Sequence, residues 1–361
     1  MTDFIPGFFA PCIIYAVILG LHLLLPARKV DGYVFDAATG RPLRYRLNGP
    51  LVLVVMVLLW VVLARTGVFA WDWLWTHRWS GLIGSFVLGA LFSLAVMVPA
   101  PRTGRSPLAD FYFGRWENPQ WLGHRVDGKM YLYLIGAVML ALNVLSFTAH
   151  HVLAFGPASS PGVGLYCALF MWFIVDYLVF ERVHLYTYDI FAERVGFKLG
   201  WGCFTFYPYF YAVGLWATAG KPDPGTPRWL LVVFALIFFA GWTLSRGANM
   251  QKYTFKRYPE RVYLGLVKPD VLTDGRRSLL ANGWWGISRH VNYLGEILVA
   301  IGLALVLGYP GVWEVWLYPA FYVFLLFPRE RADERRCAAK YGDLWAEYER
   351  RVPKRIIPWV Y

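Results

Sequence analysis

The sequence predicts an all-α polytopic membrane protein, a bundle of about nine to ten spans with its C-terminus on the cytoplasmic side. Three observations carry this reading. Of 361 residues, 58% are apolar, 19% aromatic and 16% charged. A soluble domain has roughly 45–50% apolar and about 25% charged residues, so this chain has too little polar surface to cover itself in water. Apolar runs close to the roughly 20 residues needed to cross a bilayer recur along its whole length. Lysine and arginine are sorted between those runs: 31 of the 35 fall in alternate gaps, which the positive-inside rule makes cytoplasmic.

The runs are 4–25, 50–64, 80–99, 131–154, 162–180, 199–217, 229–245, 291–308 and 312–328. The first follows neither a basic n-region nor a small-residue cleavage site, so it is expected to stay as a span rather than be removed as a signal peptide. Run 50–64 is short and is expected to tilt little. Run 199–217 is rich in Gly and Tyr and contains Pro208, which predicts a kinked or broken helix. Gaps 26–49, 100–130, 181–198, 246–290 and 329–361 hold 5, 5, 3, 9 and 9 basic residues. The gaps on the other side, 65–79, 155–161, 218–228 and 309–311, hold 2, 0, 2 and 0. No polar gap is long enough for a separate soluble domain. We therefore read 1–361 as a single integral-membrane domain, with N-terminal helices in 1–160 and the chemistry in 161–361.

Composition also excludes several classes. Disorder, collagen and a nucleic-acid-binding tail do not fit. The net charge of +12 follows the membrane pattern, so no nucleic-acid partner is expected. Four cysteines without a CxxC pair suggest neither a disulfide scaffold nor a zinc site. His150 and His151 point to different faces of a helix, and no metal is expected. Neither GxGxxG nor GxxxxGK[ST] occurs, so a nucleotide would need another kind of site.

Four segments could carry chemistry. Segment 172–190, WFIVDYLVFERVHLYTYDI, places Asp176 inside an apolar run and Glu181 and Asp189 near its end. An ionisable group at bilayer depth costs a few kcal/mol and is paired, capping a helix or functional. Segment 201–216, WGCFTFYPYFYAVGLW, sets Tyr207, Tyr209 and Tyr211 around Pro208. Such phenols either pack as ordinary aromatics or wall a pocket for a flat apolar ligand. Segment 246–257, RGANMQKYTFKR, aligns Arg246, Asn249 and Lys252, and then Lys256, along one helical face. That face suits phosphates or lipid headgroups. Segment 282–296, NGWWGISRHVNYLGE, interleaves Trp284 and Trp285 with Arg289, His290, Asn292, Tyr293 and Glu296. A plain interfacial belt needs only the aromatics, so this cluster suits a nucleotide or nicotinamide ring. The charged tail follows, with Arg329, Asp333 and Arg336 at helical spacing and Tyr341 in a KYG turn.

Taken together, LLANGWWGISRHVNYLGE, RGANMQK and PRERADERRCAAKYGDLWAEYERRVPKRIIPWVY resemble the signature segments of the membrane sterol reductases. That family includes the C14, C7 and C24(28) sterol reductases and the sterol reductase domain of the lamin B receptor. DYLVFERVHLYTYDI, GFKLGWG and YPYFYAVGLW resemble its middle region, and DGYVFDAATGRPLRYRLNG its N-terminal loop. The resemblance implies NADPH-dependent reduction of a sterol double bond, with a ring bond (Δ14 or Δ7) preferred and the side-chain Δ24 bond in reserve. It implies that Lys252, Lys256, Trp285, Arg289, His290, Asn292, Tyr293, Arg329, Asp333 and Tyr341 line the NADPH site. It places Asp189, Tyr207 and Tyr211 on the sterol side, with Asp333, Tyr211 and Glu181 as the candidate acids. The chain departs from the family at His290-Val291-Asn292, where His-Pro-Asn is usual. It also has Lys256 where Arg is common, Cys203 in place of an Asp, and Gly214 in place of a Gln.

An isolated alkene is not an electrophile, so the expected route is protonation by a buried acid followed by hydride quenching of the carbocation. The sterol and membrane lipids are the expected partners, in a bacterial inner membrane by preference or otherwise the endoplasmic reticulum. The rival expectations are an S-adenosylmethionine-dependent membrane methyltransferase, suggested by Arg-His-x-x-Tyr-x-Gly and a late Val-Pro, and a non-catalytic sterol-binding protein.

Overall fold

The computed structural model describes residues 4–36 and 39–361; positions 1–3 and 37–38, the latter within the DGYVFDAATG segment, lie outside the described residues. We number the α-helices of nine or more residues. They are α1 Phe4–Leu24, α2 Gly49–Arg65, α3 Arg78–Met97, α4 Gly128–Phe155, α5 Pro161–Val179, α6 Arg228–Arg257, α7 Val291–Val306, α8 Leu317–Tyr341 and α9 Asp343–Arg351. Helices α1, α3, α4, α5 and α6 are long and apolar enough to cross a membrane, and α2 and α7 are shorter apolar helices. The fold is the all-α polytopic one that the apolar runs predict. Among the described residues the strands form only two-stranded hairpins, the largest pairing β1 (Arg28–Phe35) with β2 (Pro42–Leu47).

By packing, the chain divides into two units, Met1–Asp223 and Pro224–Tyr361. In the first, α4 is central: 78% of its apolar window is buried, against 28–39% for α1, α3 and α5. Apolar side chains left exposed, such as Ile5, Phe9 and Ile13 on α1 and Ile83, Phe86 and Leu91 on α3, form the surface that lipid solvates.

Run 199–217 is broken, as Pro208 predicts. Helix Phe197–Trp201 passes into a π-helix over Gly202–Phe210, and Val213–Thr218 resumes the α-helix. Irregular backbone in an apolar interior leaves carbonyls that need other donors. Neighbouring helices supply them. Tyr15 Oη donates to the Phe204 carbonyl at 2.6 Å, Ser85 Oγ donates to the same oxygen, and Asn143 Nδ2 donates to the Pro208 carbonyl at 2.9 Å. Gly136 of α4 makes room for Tyr207, whose ring a Cβ there would meet at 2.4 Å.

In the second unit α6 packs along α7. A Cβ at Gly241 would lie 2.6 Å from the Gly295 carbonyl, and one at Gly295 the same distance from the Gly241 carbonyl. Small residues here let two backbones approach, the usual device for helices that pack in lipid. Run 312–328 is broken near its start: a 3-10 turn over Trp313–Trp316 leads into α8, which continues as a charged helix to Tyr341. Helix α9 folds back onto the hairpin Val271–Thr273/Ser278–Leu280. The two are joined by an apolar core of Leu272, Ala281, Tyr341, Trp345, Tyr348 and Val352.

Candidate functional site

Each unit gathers one group of the residues singled out by the sequence. In the Pro224–Tyr361 unit the starting point is the end of α6. Gln251 is buried there and bonds the loop before α7, accepting from Trp284 N at 2.9 Å and donating to the Asn282 carbonyl at 3.2 Å. Trp285 is fixed from both sides: its Nε1 donates to the Ala248 carbonyl at 3.0 Å, and its carbonyl accepts from Tyr348 Oη at 2.8 Å. Lys252 Nζ lies 5.5 Å from the centre of the Trp285 ring. Lys256 is close enough to Lys252 and Lys340 to be repelled by both. Asp333 of α8 stands beside Cys337, and burial and that carboxyl push the Cys337 thiol up to about 12, so it is no nucleophile near neutral pH. Lysines, an indole face and a carboxyl thus converge on one place. Arg329 sits one turn before Asp333, and Tyr341 ends the same helix beneath Lys340, whose Nζ is 4.9 Å from its ring centre.

Arg289 and His290 are arranged differently. Both are buried, and both meet the Glu334 Oε1: Arg289 Nε donates at 2.9 Å and His290 Nε2 lies at 3.2 Å. Arg289 Nη1 also donates to the Val352 carbonyl at 3.1 Å. Burial opposes charge on Glu334, but the bonds from His290 and Arg289 outweigh it and hold the carboxyl below its ordinary value. His290 stacks on Tyr293 with ring centres 5.0 Å apart. The backbone around them is tied to the tail, Arg289 N and His290 N donating to the Lys354 and Arg355 carbonyls at 2.9 and 2.7 Å. Donor atoms of His290, Glu330 and Glu334 lie within 4.8 Å of one another, a spacing a metal could use. Arg289 beside Glu334 and Arg355 Nε at 3.7 Å from Glu330 already supply countercharge, so we read the group as an ion network. Asn292, in the first turn of α7, keeps a buried Oδ1 with no partner among the described residues.

In the Met1–Asp223 unit the aromatic residues come together. Tyr207 and Tyr211 rings lie 4.7 Å apart, Tyr177 stands 6.4 Å from Tyr207, and His184 packs 3.9 Å from Tyr177. Asp189, Tyr207 and Tyr211 all act electrostatically on Tyr177. Glu181 lies apart from these contacts. Both its oxygens accept from Gly49 N at 3.1 Å, so it closes the N-terminus of α2. Burial raises its carboxyl to about 7. Below the ordinary carboxyl range both folded and unfolded chains hold the proton. As pH rises the unfolded chain releases it first, so stability falls until about pH 7. The expected loss between pH 5 and 8 is on the order of 3 kcal/mol. Denaturation in detergent at the two pH values measures it, and a Glu181→Gln chain that keeps the same slope would rule Glu181 out as the cause.

A family model described as the ergosterol biosynthesis ERG4/ERG24 family matches residues 7–361. The chain belongs to this family. Among curated relatives, a Delta(14)-sterol reductase of Arabidopsis thaliana is 34% identical over 352 residues, covering 94% of this chain and 91% of its own. The Delta(14)-sterol reductase TM7SF2 of Mus musculus is 32% identical over 364 residues, covering 95% and 84%. A Delta(14)-sterol reductase of Methylotuvimicrobium alcaliphilum is 32% identical over 260 residues, covering 72% and 60%.

For this ERG4/ERG24 member, sequence reasoning missed Gln251, Glu330, Glu334, Lys340 and Tyr348 in one unit and Tyr177 and His184 in the other. A weak signal existed for two of them. Glu330 and Glu334 lie one helical turn apart, in register with Tyr322 and Leu326, and that row is the buried one.

Proposed function

We propose that the protein reduces the Δ14 double bond of a sterol at the expense of NADPH. The observation that carries this reading is the gathering of Lys252, Lys256 and Lys340, with the Asp333 carboxyl, beside the Trp285 face. Ammonium groups gathered there suit the phosphates of a nucleotide, and the indole offers a flat surface for a ring. The relatives named Delta(14)-sterol reductase support the substrate class and favour a ring bond over the side chain.

The residues present fit NADPH. The lysines and Arg329 suit its phosphates, and the unpartnered Oδ1 of Asn292 is an acceptor for a carboxamide donor. Trp285 and Tyr293 offer faces, while Arg289, His290 and Tyr341 hold those elements in place. When bound, the cofactor supplies the hydride. The chain must do the rest. Tyr211 or Asp333 gives a proton to the alkene, with Glu181 as a further acid that keeps its proton to about pH 7. Tyr177, Tyr207 and Tyr211 present π faces that favour positive charge on carbon. Asp189, beside that group, orients the phenols.

The test is turnover by the purified chain in detergent, with NADPH and Δ14, Δ7 and Δ24 sterols offered in parallel and products read by mass. A gain of two hydrogens on the Δ14 sterol is expected. Turnover on no sterol, with no rise in thermal midpoint on adding NADPH, would overturn the proposal; stabilisation by S-adenosylmethionine instead would point to methyl transfer.

A further inference from the structure

The polar stretch after α3 contains a second basic site, built from none of the residues assigned to cofactor or sterol. Arg102, Arg105, Arg115 and Arg194, with Thr103 and Trp116, line an open cavity of about 430 Å3 in the Met1–Asp223 unit. Its frame is rigid. Asp110 is buried and accepts from Thr103 Oγ1 at 2.5 Å and from Arg115 Nε at 2.8 Å. Arg115 Nη1 donates to the Met97 and Ala100 carbonyls at 3.2 and 3.1 Å, and no described residue partners its Nη2. The strand of chain bearing Arg115 is locked to the one bearing Arg194. Val195 N donates to the Trp116 carbonyl at 2.8 Å. Gly114, at φ +86, passes so close to Gly196 that a Cβ would meet Gly196 N at 2.6 Å.

The charges do not balance. Arg115 is paired with Asp110, and Arg194 donates to Glu117 at 2.9 Å, a carboxylate 64% exposed and therefore screened. Arg102 and Arg105 are exposed and have no carboxylate partner among the described residues; Arg105 only faces the Phe113 ring at 5.8 Å. Two uncompensated guanidiniums beside two anchored ones form a concave donor surface, and guanidinium forks match the oxygens of a tetrahedral oxyanion. Arg102 follows the end of α3 by a few residues, the depth at which a membrane helix meets headgroup phosphates.

We propose that this cavity binds a phosphate group, either on an anionic phospholipid headgroup or free in solution. The proposal is independent of the cofactor reading. The test uses the full chain in neutral detergent and an Arg102→Gln/Arg105→Gln variant. These side chains are exposed and, among the described residues, make no contact beyond the one between Arg105 and the Phe113 ring, so equal thermal midpoints without ligand are expected. Native mass spectrometry is used to follow added phosphatidylglycerol and phosphatidylcholine, and thermal midpoint to follow added inorganic phosphate. A headgroup site predicts phosphatidylglycerol binding at least about tenfold weaker in the variant, with phosphatidylcholine unaffected. A free-phosphate site predicts stabilisation of the wild type alone by inorganic phosphate. In either case Arg102→Lys/Arg105→Lys restores part of the binding, because it keeps the charge and loses the fork. If neither probe separates wild type from the Gln variant, the proposal is wrong. NADPH binding by the same variant should match wild type, which keeps this outcome separate from that of the cofactor proposal.

Discussion

Replacing Glu334 with Ala is expected to destabilise the protein by about 3–5 kcal/mol, the usual result of removing one partner of a buried ion pair. The side chain of Arg289 is only 4% exposed and that of His290 5%. Without Glu334 the guanidinium keeps the Val352 carbonyl at 3.1 Å and an ion pair to Glu349 at 3.7 Å, a carboxylate 42% exposed and therefore too screened to replace the buried partner. Glu334→Gln keeps an acceptor of the same shape and is expected to cost less. Arg289→Met combined with Glu334→Leu removes both charges and is expected to recover much of the stability, since a buried pair is often no better than its apolar replacement. NADPH affinity should not recover with it, because the loop bearing Trp285 and the start of α7 bearing Asn292 lose their polar anchor. Thermal midpoints and cofactor titrations on the three variants check this. Equal stability of Glu334→Ala and wild type would show that the network contributes nothing to the fold.

The second large effect concerns the proton. Tyr211→Phe deletes a phenolic hydroxyl and keeps the ring; turnover is expected to fall by about 10²–10⁴-fold, the range for a lost general acid, with NADPH affinity unchanged. Asp333→Asn is expected to act on the cofactor instead. Asp333 stands in the charged group with Lys252 and Cys337, an environment suited to phosphates, whereas Tyr211 stands among aromatic rings, an environment suited to an alkene. Steady-state kinetics separates the two through kcat and KM. If Asp333→Asn abolishes turnover at saturating NADPH while Tyr211→Phe does not, the roles are reversed.

These expectations also mark how much of the protein its sequence disclosed. The helical runs were legible because apolar length is a local property that a bilayer reads directly. Pro208 announced the break in 199–217, since proline cannot continue an α-helix unaided. The π-helix itself was not legible, because its freed carbonyls are satisfied by Tyr15, Ser85 and Asn143 from distant parts of the chain. The charged stretch of α8 shows the same limit. Arg329, Asp333 and Arg336 share a spacing, and so do Leu326, Glu330 and Glu334; only packing decides that the second row is buried. The lysine and tryptophan of the proposed cofactor group carried their signal in residue type and motif. The arginines of Arg102 to Arg194 did not, because two segments of chain must meet before they share a cavity.

The ties from Ser288, Arg289 and His290 to the carbonyls of Ile356, Lys354 and Arg355 have a consequence for biosynthesis. Positions 354–356 leave the ribosome after α1 to α9, so these helices can be in place while the loop bearing Trp285 still lacks its support. Membrane residence and competence to hold a cofactor then become separable events in the life of the chain. Trimming after Arg351 with a protease should leave α6 and α7 in the bilayer and abolish the NADPH binding proposed above.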